Sequence, residues 1–220
     1  SSDVCSSDLP ELYTEMMRGK DTANAVVEKD ARKAADQTLA RYIVQLRGRQ
    51  TSEGGFALWP GSSADTFATV YAVQLLVEAK ERKLNVPQDM LQKANVYLQG
   101  LVGNNTRSMF EWRLRTQAVY LLTRQGIVAP AALANLREAL RSNAGNVTNG
   151  VSAAWSKDIG AVYLAASYQL VKQDIAAAEL LQPVWAELLD RTAKSGRITL
   201  KLLMALVRST RAGRYFATPY

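Results

Sequence analysis

The stretch TVYAVQLLVEAK, residues 69–80, indicates the architecture, because small and apolar residues fill it and charged residues stand near its end. Three later stretches share this make-up: RTQAVYLLTRQG at 115–126, AVYLAASYQLVK at 161–172 and TLKLLMALVRST at 199–210. Their starts are 46, 46 and 38 residues apart. A more amphipathic segment lies between each pair, so the sequence predicts a two-helix repeat of about 40 to 47 residues.

The residue types between these stretches predict an all-α fold. Ala, Leu, Gln, Glu, Lys and Arg fill most segments, and alternating runs of Val, Ile and Thr are missing. Helices are expected at about 10–18, 22–49, 65–83, 87–102, 107–125, 130–142, 154–172, 175–193 and 197–210. The Ala-rich helices are expected to form an inner layer and the amphipathic ones an outer layer. Such hairpins either stack into an open solenoid or close into a ring.

Composition narrows the possible partners of the 220-residue chain. Its net charge of +7 comes from 27 basic residues scattered among 20 acids, without a basic run. This pattern is typical of a solvated surface of mixed charge, so we predict no nucleic-acid partner. No apolar run approaches the roughly 20 residues of a membrane-spanning helix, so no membrane span is predicted in this chain.

The chain lacks most of the residue types that catalytic and metal sites usually need. The chain has no histidine and a single cysteine, Cys5, which excludes a Ser-His-Asp triad and an intramolecular disulfide. Cys5 lies among serines and aspartates with no base to activate it, so we expect an inert thiol. A zinc site would need carboxylates alone. We therefore predict no catalytic residue, no metal and no cofactor, and we interpret Gly54-Gly55 as a turn rather than a phosphate cradle.

Aromatic residues gather around the loops that precede the predicted inner helices. They are Phe56, Trp59, Phe67, Phe110, Trp112 and Trp155. One interpretation is a plug that closes the end of the helical ring, and the other is a binding surface. If the loop at 56–59 is a plug, replacing Trp59 by Ala should cost about 3–5 kcal/mol, and a loss below about 1 kcal/mol would favour an exposed Trp59.

Four acids lie near the same helix starts: Glu53, Asp65, Glu111 and Asp158. Acids are expected there because they cap helices and meet the helix dipole. Paired carboxylates for glycoside chemistry are the alternative interpretation. The candidate rim or interface residues are Phe56, Trp59, Asp65, Trp112 and Trp155.

Residues 53–98 resemble the thioester domain of bacterial alpha-2-macroglobulins. The features that carry the resemblance are a GGFALW loop at 54–59, Asp65, a T-x-Y-A helix start at 69–72, an L-x-EAKE helix end at 76–81 and a V-P turn at 86–87. RTQAVYLLTRQG and YLAASYQLVKQ also look like this family, and the resemblance extends over about residues 10–220.

The resemblance implies an alpha/alpha toroid of helical hairpins within a large periplasmic protease trap, and it leaves open whether the trap is anchored to the inner membrane. In such a trap a protease cuts a bait region elsewhere in the protein, the molecule rearranges and the protease is caged. The implied partners are other domains of the same macroglobulin chain and, through the intact protein, target proteases. The domain would dock against its neighbours and would not be an enzyme.

Thioester-bearing members join a Cys to a Gln in a C-x-E-Q motif, and this chain departs from it. Residues 5–8 read Cys-Ser-Ser-Asp, so Cys5 is rejected as a thioester residue. Because SSDVCSSDL resembles a translated sequencing adapter, residues 1–9 are expected to be a non-native or disordered tail and residues 10–220 the toroid domain. We expect an incomplete ring, truncated at both ends, from the subgroup without a thioester.

Two other functions remain open at this point. One is an enzyme on the same toroid, because QTSEGGF at 50–56 resembles the Q-x-x-x-G-x-W/F repeats of terpene cyclases and prenyltransferases. Prenyltransferases need a zinc site of Asp, Cys and His, and class II cyclases need a D-x-D-D acid, and neither occurs here. The other is a helical-repeat scaffold that binds peptides, which only the two-helix period supports.

Overall fold

A computed structural model describes residues 25–106, 108–143, 147–148, 151–152 and 155–195. The predicted helices at 10–18 and 197–210, and Cys5, lie outside the described residues.

Seven α-helices form the described part of the chain. They are α1 (Ala25–Arg47), α2 (Thr66–Glu81), α3 (Gln88–Val102), α4 (Met109–Arg124), α5 (Pro130–Asn143), α6 (Ile159–Leu170) and α7 (Asp174–Ser195). A short antiparallel ribbon of β1 (Val147–Thr148) and β2 (Val151–Ser152) and a 3-10 turn (Trp155–Lys157) stand between α5 and α6.

The helices pack in two layers, as the repeat predicts. Helix α4 packs between α2 and α6, and these three form the inner layer. Helix α3 packs against α2 and α4, and α5 packs against α4 and α6, so both lie in the outer layer. Helix α7 packs on α6. The all-α class and the arrangement of helical hairpins expected for a toroid are confirmed.

Each inner helix begins at a side-chain cap. Asp65 accepts a hydrogen bond from the backbone N–H of Ala68 at 2.8 Å. Asp158 accepts one from the N–H of Gly160 at 2.8 Å, and Ser108 caps α4 in the same way. These caps satisfy amide groups that the first helical turn leaves unpaired.

The core lies between the two layers. Leu76 of α2, Leu98 of α3, Leu121 of α4 and Leu164 of α6 are all fully buried. The inner helices bury apolar residues against both neighbours, which explains why small and apolar residues fill them so densely. Among the described residues, no helix is both long enough and apolar enough to span a membrane.

One expectation about α6 needs correction. The helix predicted from residue 154 begins at Ile159, because the 3-10 turn and the ribbon precede it. Gln117 on α4 donates to Gln74 on α2, a separation of 43 residues that lies within the predicted repeat of about 40 to 47. The similar stretches start 46 residues apart, and the difference of three residues is nearly one helical turn, so the apolar pattern is almost the same.

Candidate interaction site at the start of the inner helices

The loop of residues 48–65 is fixed to the outer helix α3. The side-chain amide of Gln50 donates hydrogen bonds to the carbonyl oxygens of Gly54 (3.0 Å) and Met90 (2.9 Å). Gly54 has a φ of +92°, and a Cβ there would lie 2.1 Å from the carbonyl oxygen of Lys93. Because only glycine accepts both this φ and this close approach, Gly54 lets the loop lie directly against α3.

The same loop is tied to the first turn of α2. The N–H of Phe56 donates to the hydroxyl oxygen of Thr69 at 2.8 Å, and this hydroxyl donates to the carbonyl of Asp65 at 2.7 Å. The N–H of Asp65 donates in turn to the carbonyl of Phe56 at 2.9 Å. Phe56 and Thr69 are buried, so these hydrogen bonds form away from water and hold the loop firmly.

The tip of the loop is a tight turn around Trp59. The N–H and the hydroxyl of Ser62 both donate to the carbonyl of Trp59, at 3.2 and 2.9 Å. Gly61 has a φ of +81°, which glycine adopts without strain. The side chains of Leu58 and Trp59 are 49% and 64% exposed. The turn therefore holds two apolar side chains in solvent on a fixed backbone.

The predicted aromatic cluster separates into buried and exposed members. Phe56, Trp112 and Trp155 are buried, so the hypothesis that they form an exposed interface is wrong. The plug interpretation fits these three residues and is wrong for Trp59, which lies in solvent. Asp65 is half-buried and serves as the cap of α2. The difference arises because Phe56 precedes the turn and points into the core.

Trp112 joins several elements in the core. Its indole N–H donates to the carbonyl of Leu136 on α5 at 3.0 Å, and its ring lies 5.4 Å from that of Trp155. Gly160, in the first turn of α6, lies beneath the ring. A Cβ at Gly160 would come within 2.4 Å of the Trp112 ring, so α6 approaches α4 this closely only with glycine at that position.

Exposed apolar residues form a second group at this end of the inner layer. We call them the exposed aromatic surface, and they are Leu58, Trp59, Phe67, Tyr71 and Phe110. The last three are 46%, 43% and 54% exposed. The rings of Phe67 and Tyr71, four residues apart on α2, are 4.4 Å apart at their centroids. Leu58 and Tyr71 were absent from the predicted cluster, although the spacing of Tyr71 from Phe67 places both on one helical face.

A row of polar contacts continues this face toward the other end of α2 and α4. The amide of Gln117 donates to Gln74 at 2.6 Å, and Gln74 donates to the buried carboxylate of Glu78 at 3.1 Å. Arg124 lies 3.9 Å from Glu78 and 3.0 Å from Glu81. Burial opposes the charge of Arg124, but the hydrogen bond to Glu81 and the nearby charges outweigh it, so the pKa of Arg124 is raised. Sequence inspection missed this row, since its residues stand alone in amphipathic patterns.

Three of the four acids near the helix starts are engaged in caps or ion pairs, and the fourth, Glu53, is exposed in the loop. Asp158 caps α6 and accepts a hydrogen bond from the Nε of Arg113 at 2.9 Å. This hydrogen bond raises the pKa of Arg113. Glu111 pairs with Arg115 at 3.7 Å, and Asp65 caps α2. Within the part of the chain that the structure describes, no three metal-ligating side chains group together. The arrangement suits binding by apolar contact.

Comparison with known proteins gives the class of protein. No protein-family model matches the chain. The chain is 40% identical over 151 residues to the alpha-2-macroglobulin homolog of Yersinia pestis, which covers 68% of this chain and 7% of the relative. It is 32% identical over 155 residues to the alpha-2-macroglobulin of Rickettsia conorii, which covers 70% of this chain and 8% of the relative.

Solved structures of the same class share the fold. The native conformation of Escherichia coli alpha-2-macroglobulin matches 81% of this chain and 11% of its own, with a TM-score of 0.58 and 19% identity. The trypsin-activated form from the same organism matches 78% and 12%, with a TM-score of 0.56 and 20% identity. This chain is therefore alpha-2-macroglobulin-like in sequence and in fold, and it spans less than a tenth of the curated relatives it matches.

Proposed function

We propose that this chain is the thioester-type toroid domain of an intact alpha-2-macroglobulin that traps proteases in the periplasm. The domain's own task is to hold its place and dock against neighbouring domains. The observation that carries this proposal is the 40% identity over 151 residues to a bacterial alpha-2-macroglobulin homolog. The two-layered arrangement of helical hairpins supports it, because the solved relatives share that fold.

A solved relative supports proteases as the target class of the intact protein. The E. coli protein has been solved in a trypsin-activated form, so trypsin acts on that relative. Bait cleavage and caging would require parts of the intact protein outside this chain, because the chain matches only 7% and 8% of the lengths of its relatives. Within the trap, this domain would contribute a helical body with an exposed apolar surface.

A structural role for the domain is also supported by the state of its acids. Asp65 and Asp158 are engaged in helix caps, and Asp158 is also paired with Arg113. Carboxylates held in this way do not offer the separated acid and base that hydrolysis needs. Because the chain also has no histidine for a zinc site and no D-x-D-D acid, we expect no turnover of prenyl diphosphates by this chain. Product formation in that assay would contradict the proposal in favour of a toroid enzyme.

A trapping assay on the intact protein tests the proposal. Trypsin incubated with the full-length protein should keep its activity on a small chromogenic peptide and lose most of its activity on a large protein substrate. A caged protease excludes large substrates by size, whereas an inhibited active site would lose both activities. The 220-residue chain alone serves as the control and should leave the activity of trypsin on both substrates unchanged. Equal activity of free and treated trypsin on the large substrate would overturn the proposal.

The periplasmic location is tested separately. The full-length gene, expressed in its own host with a C-terminal tag, should give a protein that osmotic shock releases, or that stays with the inner membrane and faces the periplasm. When the outer membrane of these cells is permeabilised, added protease should digest the tagged protein. Protection of the tag until the inner membrane is lysed would contradict a periplasmic location.

A further inference from the structure

Helix α1 differs from the other helices in how little of it is buried. Among the described helices, it packs least on the others. Residues 30–34 are all exposed, and Val44 is 73% exposed. Leu39 is buried, and Ile43 and Leu46 are partly buried against the core. A helix with few buried apolar contacts opens at a lower free energy than the core helices do.

Two polar contacts hold α1 across the turn that joins α2 to α3. The guanidinium of Arg32 donates to the carbonyl oxygen of Lys83, just after α2, at 2.9 Å. The Nη1 of Arg47 donates to the carboxylate of Asp89, in the first turn of α3, at 3.0 Å. The two arginines are 15 residues apart, which is about 22 Å along a helix. Both contacts are exposed to solvent, where such contacts stabilise only weakly.

The chain that follows Gly48 is fixed more firmly than α1. The carbonyl of Arg49 accepts a hydrogen bond from the N–H of Ala57 at 2.9 Å. The side chain of Gln50 donates to the carbonyl of Met90 on α3 at 2.9 Å. Glycine has the greatest backbone freedom of the residues, and hinges form at a few positions where helices end. Gly48 therefore lies where α1 could turn while the loop stays on α3.

We propose that α1 is a strap that lifts off the turn between α2 and α3 as a unit, about a hinge at Gly48, while the core helices α2 to α6 stay folded. Opening breaks the contacts of Arg32 and Arg47 and exposes the side chain of Leu39. A pull on the N-terminal end of α1 would then open the strap before the two helical layers separate. The inference goes beyond the proposed function, since it concerns the mechanics of this chain alone.

Hydrogen exchange of the 220-residue chain, measured by mass spectrometry at several low urea concentrations, tests the strap. Relative to their unprotected rates, amides of residues 35–46 should exchange at least about tenfold faster than amides of residues 112–123 in α4. Exchange in α1 should also depend less on urea, because lifting one helix exposes less surface than unfolding does. Equal opening free energies and equal urea dependence in both helices would overturn the proposal, because α1 would then open only with the whole fold.

Variants at the contacts of α1 test whether the strap is closed in the resting protein. Leu39→Ala removes the buried side chain and should raise exchange in α1 by about tenfold or more. Arg32→Gln removes the contact with Lys83 and should raise it by about two- to tenfold. Both variants should leave exchange in α4 unchanged. Arg41→Gln is the matched control and should have no effect, because Arg41 donates to Thr38 of α1 itself at 3.3 Å.

Three results from these variants would overturn the proposal. If Leu39→Ala raises exchange in α4 as much as in α1, the helix is an integral part of the core. If Arg32→Gln and Arg41→Gln have the same effect, the contact with Lys83 does not hold the strap. If none of the variants changes exchange in α1, the helix does not close on the turn. Circular dichroism checks that each variant is folded, and the two arginine variants carry the test by themselves if Leu39→Ala is not.

Discussion

At the scale of single residues, Gly160 shows how a missing side chain permits helix packing. Replacing Gly160 by Ala would place a methyl group within 2.4 Å of the Trp112 ring, so we expect overpacking to cost about 1–3 kcal/mol of unfolding free energy. Chemical denaturation of the 220-residue chain, followed by circular dichroism, measures this. Gly100 is the control, since a Cβ there meets nothing within 4 Å and Ala should be neutral or stabilising. Equal losses at both positions would contradict the packing argument.

Truncation of two tryptophans should cost very different amounts of unfolding free energy. Trp112→Ala removes a fully buried ring and its hydrogen bond to Leu136, so we expect a loss of about 3–5 kcal/mol. Trp59→Ala removes a side chain that is 64% exposed, so we expect a loss below about 1 kcal/mol. Urea denaturation of both variants gives the comparison. A large loss for Trp59→Ala would restore the plug interpretation.

The sequence identified these residues as important without separating their roles. Phe56 and Trp59 stand three residues apart in one loop, yet the first is buried and the second is exposed. The direction of each side chain depends on the turn at Ser62 and on the hydrogen bond between Phe56 and Thr69. Both contacts follow from tertiary packing, which residue types in a loop do not determine.

At the scale of elements, ion pairs tie neighbouring hairpins at regular separations. Arg124 binds Glu81, 43 residues away, and Arg47 binds Asp89, 42 residues away. Replacing Arg124 by Met should cost about 2–3 kcal/mol, because it removes the cation beside the buried carboxylate of Glu78, although Arg82 remains at 3.4 Å. The thermal or urea midpoint of the variant measures the loss.

The pair of Arg47 and Asp89 provides the control for that experiment. Both side chains are more than half exposed, so Arg47→Met should change the unfolding free energy by less than about 1 kcal/mol. Similar losses for the two arginine variants would mean that burial does not decide the strength of these ties.

Helix positions could be predicted from the sequence more fully than helix registration. Predicted bounds for α2, α3 and α5 lie within about two residues of the observed ones, because caps, prolines and apolar spacing mark them locally. The contact between α2 and α4 joins residues 43 apart, which lies within the predicted repeat of about 40 to 47, whereas the similar stretches start 46 residues apart. Apolar periodicity repeats at every turn, so only specific polar partners such as Gln74 and Gln117 fix the register.

At the scale of the whole molecule, the proposed subgroup without a thioester makes a chemical prediction. Treatment of the intact protein with methylamine should release no free thiol, because a protein of this subgroup has no thioester for the amine to cleave. A colorimetric thiol assay before and after treatment measures this. Release of one thiol per chain would show that the intact protein carries a thioester elsewhere and captures its target covalently.

The attachment of the loop to α3 has a mechanical consequence for the intact protein. A force that pulls on Trp59 passes through the turn to Gly54, which lies against the Lys93 carbonyl, and through Gln50 to the Met90 carbonyl. The load therefore reaches the outer layer as well as the inner helix α2. If a neighbouring domain that holds Trp59 moves away, the loop and the outer helix α3 should move together. The displacement would then reach α3 as well as α2.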